Sequence, residues 1–115
     1  MKQKLSGIDS LQRRYQQLRR QLAALGYISQ GSVQDRTQRK GGGSGYQWTR
    51  KIAQKTVTVA LTQQQFTKLK EAVANYRQLR KHLREMEQLS RKILFLEAPH
   101  PARRKRLSHK VLGLN

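Results

Sequence analysis

No cysteine occurs among the 115 residues, which excludes disulfides, thiolate zinc sites and thiol nucleophiles and suits a reducing compartment. Acidic side chains are scarce, with 6 Asp+Glu against 25 Lys+Arg. A metal-dependent nuclease or transposase needs clustered carboxylates. Here Asp9 and Asp35 are the only aspartates, and Glu71, Glu85, Glu87 and Glu97 fall on one helical stretch among Lys and Arg. Local ion pairing with Lys81, Arg84 and Arg91 is their expected role. His82, His100 and His109 are scattered without ligand spacing. No enzyme activity, cofactor, metal or small-molecule substrate is therefore expected. Long apolar runs are missing as well. The densest, Ile93-Leu94-Phe95-Leu96, is far short of the ~18 residues a membrane helix needs. Met1-Lys2-Gln3-Lys4-Leu5 leads into Ser, Gly and Asp rather than an apolar stretch. No signal peptide is expected, and the expected location is cytoplasmic.

What the chain has in excess is positive charge, +19 in all. Self-repulsion on that scale opposes any compact state unless a polyanion neutralises it. Nucleic acid is the expected partner, ahead of an anionic membrane surface and an acidic protein. The length allows one domain with a modest core.

Hydrophobic spacing divides the chain into four zones. Leu11, Tyr15, Leu18, Leu22 and Leu25 recur at steps of four and three, which predicts a helix capped by Ser6 or Asp9 and closed by Gly26. From Tyr27 to about Thr62 the pattern is β, broken by Arg39-Lys40-Gly41-Gly42-Gly43-Ser44-Gly45, a flexible loop. Tyr46–Ile52 and Lys55–Leu61 read as a hairpin with its turn at Ala53-Gln54. That register sets Tyr46 opposite Leu61, Trp48 opposite Val59 and Arg50 opposite Val57. Tyr27–Gln38 is a candidate third strand, anchored by Ile28 and Val33. Thr62 with Gln65 makes a capping box. The apolar row Phe66, Leu69, Val73, Tyr76, Leu79, Leu83, Met86, Leu89, Ile93, Leu96 then predicts one long helix. The fold class is α+β: an N-terminal helix, a small antiparallel sheet, and a long helix that pairs with the first. One domain is expected over 1–98, and a basic tail over 99–115 in which Val111, Leu112 and Leu114 can form a docking turn.

Four features are candidates for function. The polar hairpin face carries Gln47, Thr49, Lys51, Thr56 and Thr58, with Lys55 near the turn. A two-stranded ribbon fits the DNA major groove, where such groups reach base edges and phosphates; a Thr-rich face is equally a good solvated strand. Arg36, Arg39 and Lys40 precede the glycines of a loop that can wrap a phosphate backbone or merely join strands. It lacks the Gly-Lys-Ser/Thr of a nucleotide-binding loop. Arg103, Arg104, Lys105 and Arg106 form either a phosphate-binding arm or a solubilising tail. Trp48, Tyr46, Tyr15 and Tyr76 are better read as core than as base-stacking platforms; Tyr27 fits neither. The distal helix row Leu83, Met86, Leu89 and Ile93 outruns the first helix and is a candidate interface for a second copy, for a protein of the same mobile element, or for the folded-back tail.

Over residues 31–96 the chain resembles an uncharacterised prokaryotic family of small basic proteins, often encoded beside transposable elements. The likeness rests on Tyr46-Gln47-Trp48-Thr49-Arg50-Lys51-Ile52, on Lys55-Thr56-Val57-Thr58-Val59-Ala60-Leu61-Thr62, and on the helical runs 74–80 and 85–90. Many members carry a Cys-Gly-Lys-Pro-Asn-Cys-like segment before the hairpin. Here Thr37-Gln38-Arg39-Lys40 and glycines stand there, so no metal or redox role carries over. The resemblance implies an association with mobile DNA and supplies no catalytic residue. The expected function is a DNA-binding accessory protein tied to such an element. The rivals are an RNA-binding or ribosome-associated protein and a coiled-coil assembly subunit that recruits a protein partner.

Overall fold

A computed structural model of the chain describes residues 2–37, 45–98, 101–102 and 105–114, with side chains described from Gly7 onward. The order is α1 (Lys2–Ala23), β1 (Ser32–Asp35), β2 (Tyr46–Ile52), β3 (Lys55–Leu61), α2 (Gln63–Glu97) and α3 (His109–Leu112). This is the expected α+β layout. The chain divides into two compact units, Leu25–Leu79 and the pairing of Met1–Ala24 with Arg80–Asn115.

In the Leu25–Leu79 unit the sheet has the order β1-β2-β3, antiparallel throughout. The hairpin adopts the expected register, with Tyr46 opposite Leu61, Trp48 opposite Val59 and Arg50 opposite Val57. Ala53 and Gln54 turn it with φ of 49° and 69°, both left-handed, which is how a two-residue loop matches strand twist. The third strand is shorter than the sequence suggests. Tyr27–Gln30 lies outside the sheet, tied instead to α2. Ser29 N–H donates to the Ala72 carbonyl (3.1 Å), Asn75 Nδ2 to the Tyr27 carbonyl (2.9 Å) and Gln30 Nε2 to Tyr76 Oη (3.1 Å). Gly31 then swings the chain into β1 at φ 106°, passing so close to Trp48 that a Cβ there would sit 2.4 Å from its Nε1. The indole N–H donates to the Gln30 carbonyl at 3.0 Å.

The capping box at the start of α2 forms as read. Gln65 N–H donates to Thr62 Oγ1 (3.1 Å), and Thr62 N–H donates to Gln65 Oε1 (2.9 Å). The 35 residues of α2 run without a break, roughly 52 Å at 1.5 Å per residue. Within this unit Val73 and Ala72 are buried, and Tyr46 meets Phe66 with ring centroids 4.9 Å apart.

In the other unit α1 runs antiparallel to the end of α2. Arg14 pairs with Glu85, and the earlier Gln12 reaches the later Glu97. Leu18 is fully buried and Leu89 nearly so. Two helix boundaries differ from expectation. α1 begins at Lys2, so Ser6 and Asp9 are interior residues rather than caps; Gln3, Lys4 and Leu5 are good helix formers that extend it. It ends at Ala23, and Gly26 keeps a negative φ instead of closing the helix. α3 is a single turn. Ser108 caps it, Gly113 ends it in the left-handed conformation, and Arg91 donates to the Gly113 carbonyl (3.1 Å).

Candidate nucleic-acid interface

Strand alternation gives the sheet two chemically different faces. Tyr46, Trp48, Val57 and Leu61 are half-buried on one, together with Val33 of β1, and the exposed Asp35 lies on the same side. Its outer part is less covered than an apolar face suggests, for Val59 and Ile52 remain 41% and 44% exposed. The guanidinium of Arg50 lies over the Trp48 ring, 4.7 Å from its centroid. Trp48 and Tyr46 are thus held in packing and hydrogen bonding, as expected for structural aromatics.

The opposite face brings together Gln47, Thr49, Lys51, Thr56 and Thr58, and β1 adds Ser32 and Gln34 to it. The hydroxyls of Thr49 and Thr58 bridge β2 and β3 at 3.3 Å. Arg36 Nε donates to Gln34 Oε1 at 3.0 Å, which draws its charge to the edge of this face. No carboxylate lies on it among the described residues. Asp35, the nearest acid, belongs to the other face. There it accepts from the Thr37 hydroxyl (2.7 Å) and the Thr37 N–H (3.0 Å), and these bonds hold its carboxyl below the usual range. Lys55 does not join the Thr-rich face. It pairs with Ile52, one step out of phase with Lys51 and Thr56, so it stands on the Trp48 side. Arg39 and Lys40 of the Gly-rich loop, and Arg103 and Arg104 of the basic cluster, lie outside the described residues.

Lys105 and Arg106 are exposed beside a cleft of about 610 Å³. Leu11, Phe95, Leu96, Leu107, Leu112 and Leu114 line it, with Lys92 at its side. The docking turn suggested for the tail is present, but Val111 stays 69% exposed while Leu112 and Leu114 are half-buried.

The row offered as a partner interface does not survive intact. Leu89 is only 7% exposed, so it is core, while Met86 and Ile93 are half-buried and Leu83 is 43% exposed. The buried position on that turn is His82, at 8%. Steps of 79, 82, 86, 89 and 93 follow the helical period as well as steps through 83, and packing selects His82. Of the glutamates, Glu87 pairs locally as expected, whereas Glu85 does not. Glu85 takes Arg14 of α1 (2.6 Å), and the bond holds its carboxyl below the usual range, while Glu87 takes Arg91 (3.9 Å).

Two surface features lie outside these candidate sites. Tyr27 is 92% exposed. Arg13 and Arg20 share the outer face of α1 with Gln16 and Gln17, signalled by their separation of seven residues, two helical turns. No helix among the described residues is long and apolar enough to cross a membrane, and none of their His, Asp and Glu side chains gather in groups of three or more. No protein-family model, no curated protein and no solved structure matches the chain.

Proposed function

We propose that the chain is a DNA-binding accessory protein that acts in the cytoplasm beside a transposable element. The observation that carries the reading is the polar sheet face bearing Gln47, Thr49, Lys51, Thr56 and Thr58. It offers hydroxyl, amide and ammonium groups and no acid among the described residues. Six acids at most offset six of 25 cations, so most of the positive charge is left for a polyanion. Antiparallel strands read duplex DNA in known recognition modes, with polar side chains contacting phosphates and base edges. The tie to a mobile element rests on the resemblance over residues 31–96. Gene neighbourhood tests it: finding a transposase gene next door would support the tie, and finding a ribosomal operon there would favour the RNA-binding alternative.

The test is a salt titration of duplex affinity by fluorescence anisotropy. Engagement of about six to ten phosphates gives a slope of log K against log salt near −5 to −9. Joint replacement of Thr49 and Lys51 by Ala weakens binding and leaves the melting temperature nearly unchanged, since Lys51 is exposed and Thr49 gives up only its hydroxyl bridge to Thr58. A salt-insensitive affinity refutes the reading. A second copy, if one binds, meets the remaining apolar edge at Leu83, Met86 and Ile93, and light scattering on the nucleic-acid-free protein detects it.

A further inference from the structure

The hairpin outruns the rest of its sheet. β1 accompanies β2 only as far as the pair Ser32–Thr49, so Arg50–Ile52 and Lys55–Val57 pair with each other alone. Three further residues per strand, at about 3.3 Å each, carry the ribbon roughly 10 Å beyond its last three-stranded rung before the turn is added. The DNA major groove is ≈8.5 Å deep and ≈12 Å wide and admits a two-stranded ribbon, whereas the minor groove, at ≈6 Å, does not. Every residue from Arg50 to Thr56 is exposed. The projection bears three cations and no acid, and its cations stand on both faces: Lys51 on one, Arg50 and Lys55 on the other. A ribbon entering a groove tip-first turns its two faces to the two phosphate walls, which is the distribution such charges fit.

The tip carries Ile52, 44% exposed, and Gln54. On the floor of the major groove the apolar group is the thymine methyl, and a glutamine carboxamide matches adenine N6 and N7 with two hydrogen bonds. Both belong to the A·T pair. Gln54 holds φ 69°, the left-handed conformation that the two-residue turn requires, and this sets it at the end of the ribbon.

We infer that Arg50–Val57 is an arm that enters the DNA major groove tip-first, and that Ile52 and Gln54 select A·T pairs there. This rests on the DNA-binding reading above and adds to it an orientation and a base preference. A-form RNA has a deep, narrow major groove closed to side chains, so the arm distinguishes DNA from RNA duplexes.

The experiment measures the full chain by anisotropy against four short duplexes of one design: an A·T-rich DNA, the same DNA with deoxyuridine for thymidine, a G·C DNA and the matching RNA. Loss of the methyl weakens wild-type binding about fourfold, the worth of burying one such group. The A·T duplex is preferred over G·C about tenfold, the scale of one bidentate base contact. Ile52→Ala abolishes the thymidine–deoxyuridine difference while keeping the A·T preference, and Gln54→Ala does the reverse. Trp48 fluorescence verifies that both variants keep the sheet. Equal affinity for the three DNA duplexes, an unchanged thymidine–deoxyuridine ratio in Ile52→Ala, or equally tight RNA binding overturns the inference and leaves DNA binding standing. Absence of binding to every duplex overturns both.

Discussion

Two glycines in this chain invite the same substitution and should answer it with opposite signs. Gly31 lies at φ 106°, outside the wells open to an L side chain, and an added Cβ would fall 2.4 Å from Trp48 Nε1 and 2.7 Å from the Thr49 carbonyl oxygen. The second neighbour is backbone in the central strand and cannot swing aside. To accept a methyl group, the Gln30–Gly31 peptide must move, which breaks the indole bond to the Gln30 carbonyl (3.0 Å). Backbone strain of order 1–3 kcal/mol and about 1 kcal/mol for the hydrogen bond give a cost for Gly31→Ala of about 3 kcal/mol. Gly7 is interior to α1 with nothing within 4 Å of an added Cβ, so Gly7→Ala stabilises by about 0.5–1 kcal/mol through helix propensity alone. The assay is urea denaturation. Trp48, the chain's single tryptophan, reports the sheet, and far-ultraviolet dichroism reports the helices. Gly31→Ala should lower the midpoint and shift Trp48 emission to longer wavelength, because the indole loses its partner. A Gly31→Ala protein within about 0.5 kcal/mol of wild type, or one matching Gly7→Ala in sign, refutes the account of how β1 is seated.

Three further outcomes follow from the geometry. Thr62→Ala removes one half of the capping box and costs about 1 kcal/mol, measured by thermal melting, whereas Thr67→Ala on an exposed turn changes little. Glu85 titrates below the usual carboxylate range because Arg14 donates to it, so its contribution to stability is present above that range and is lost as pH falls through the lowered value. Glu85→Gln therefore flattens the acid limb of the stability profile, and since both side chains are about two-fifths exposed, the difference shrinks in high salt. Truncation after Ala98 strips Leu107, Leu112 and Leu114 from the cleft beside Leu11, Phe95 and Leu96. Binding of a hydrophobic dye should rise, and an unchanged dye signal means the tail does not cover that surface.

The hairpin and the long helix were legible because their information is local. A two-residue loop leaves one register that sorts Tyr46, Trp48, Val57 and Leu61 from Gln47, Thr49, Lys51, Thr56 and Thr58, and the pairing follows it. Thr62 and Gln65 are three residues apart and need nothing distant to close their box. The polar face, too, is a matter of parity along two strands. By the same parity Lys55, opposite Ile52, stands away from the Thr-rich face.

Tertiary structure decided what sequence spacing leaves degenerate. Leu83 and His82 both satisfy the helical period, and burial went to His82. Glu85 has cations within one turn on its own helix, yet it meets Arg14, 71 residues away in sequence. Tyr27–Gln30 has a strand-like composition, but its hydrogen bonds go to Ala72, Asn75 and Tyr76 rather than into the sheet. Ala53 and Gln54 carry no turn signal of their own, and the two strands they join hold them at positive φ. In each case the choice lies between partners far apart in the chain. Periodicity says which residues share a face, whereas packing and the need to satisfy backbone groups settle what that face meets.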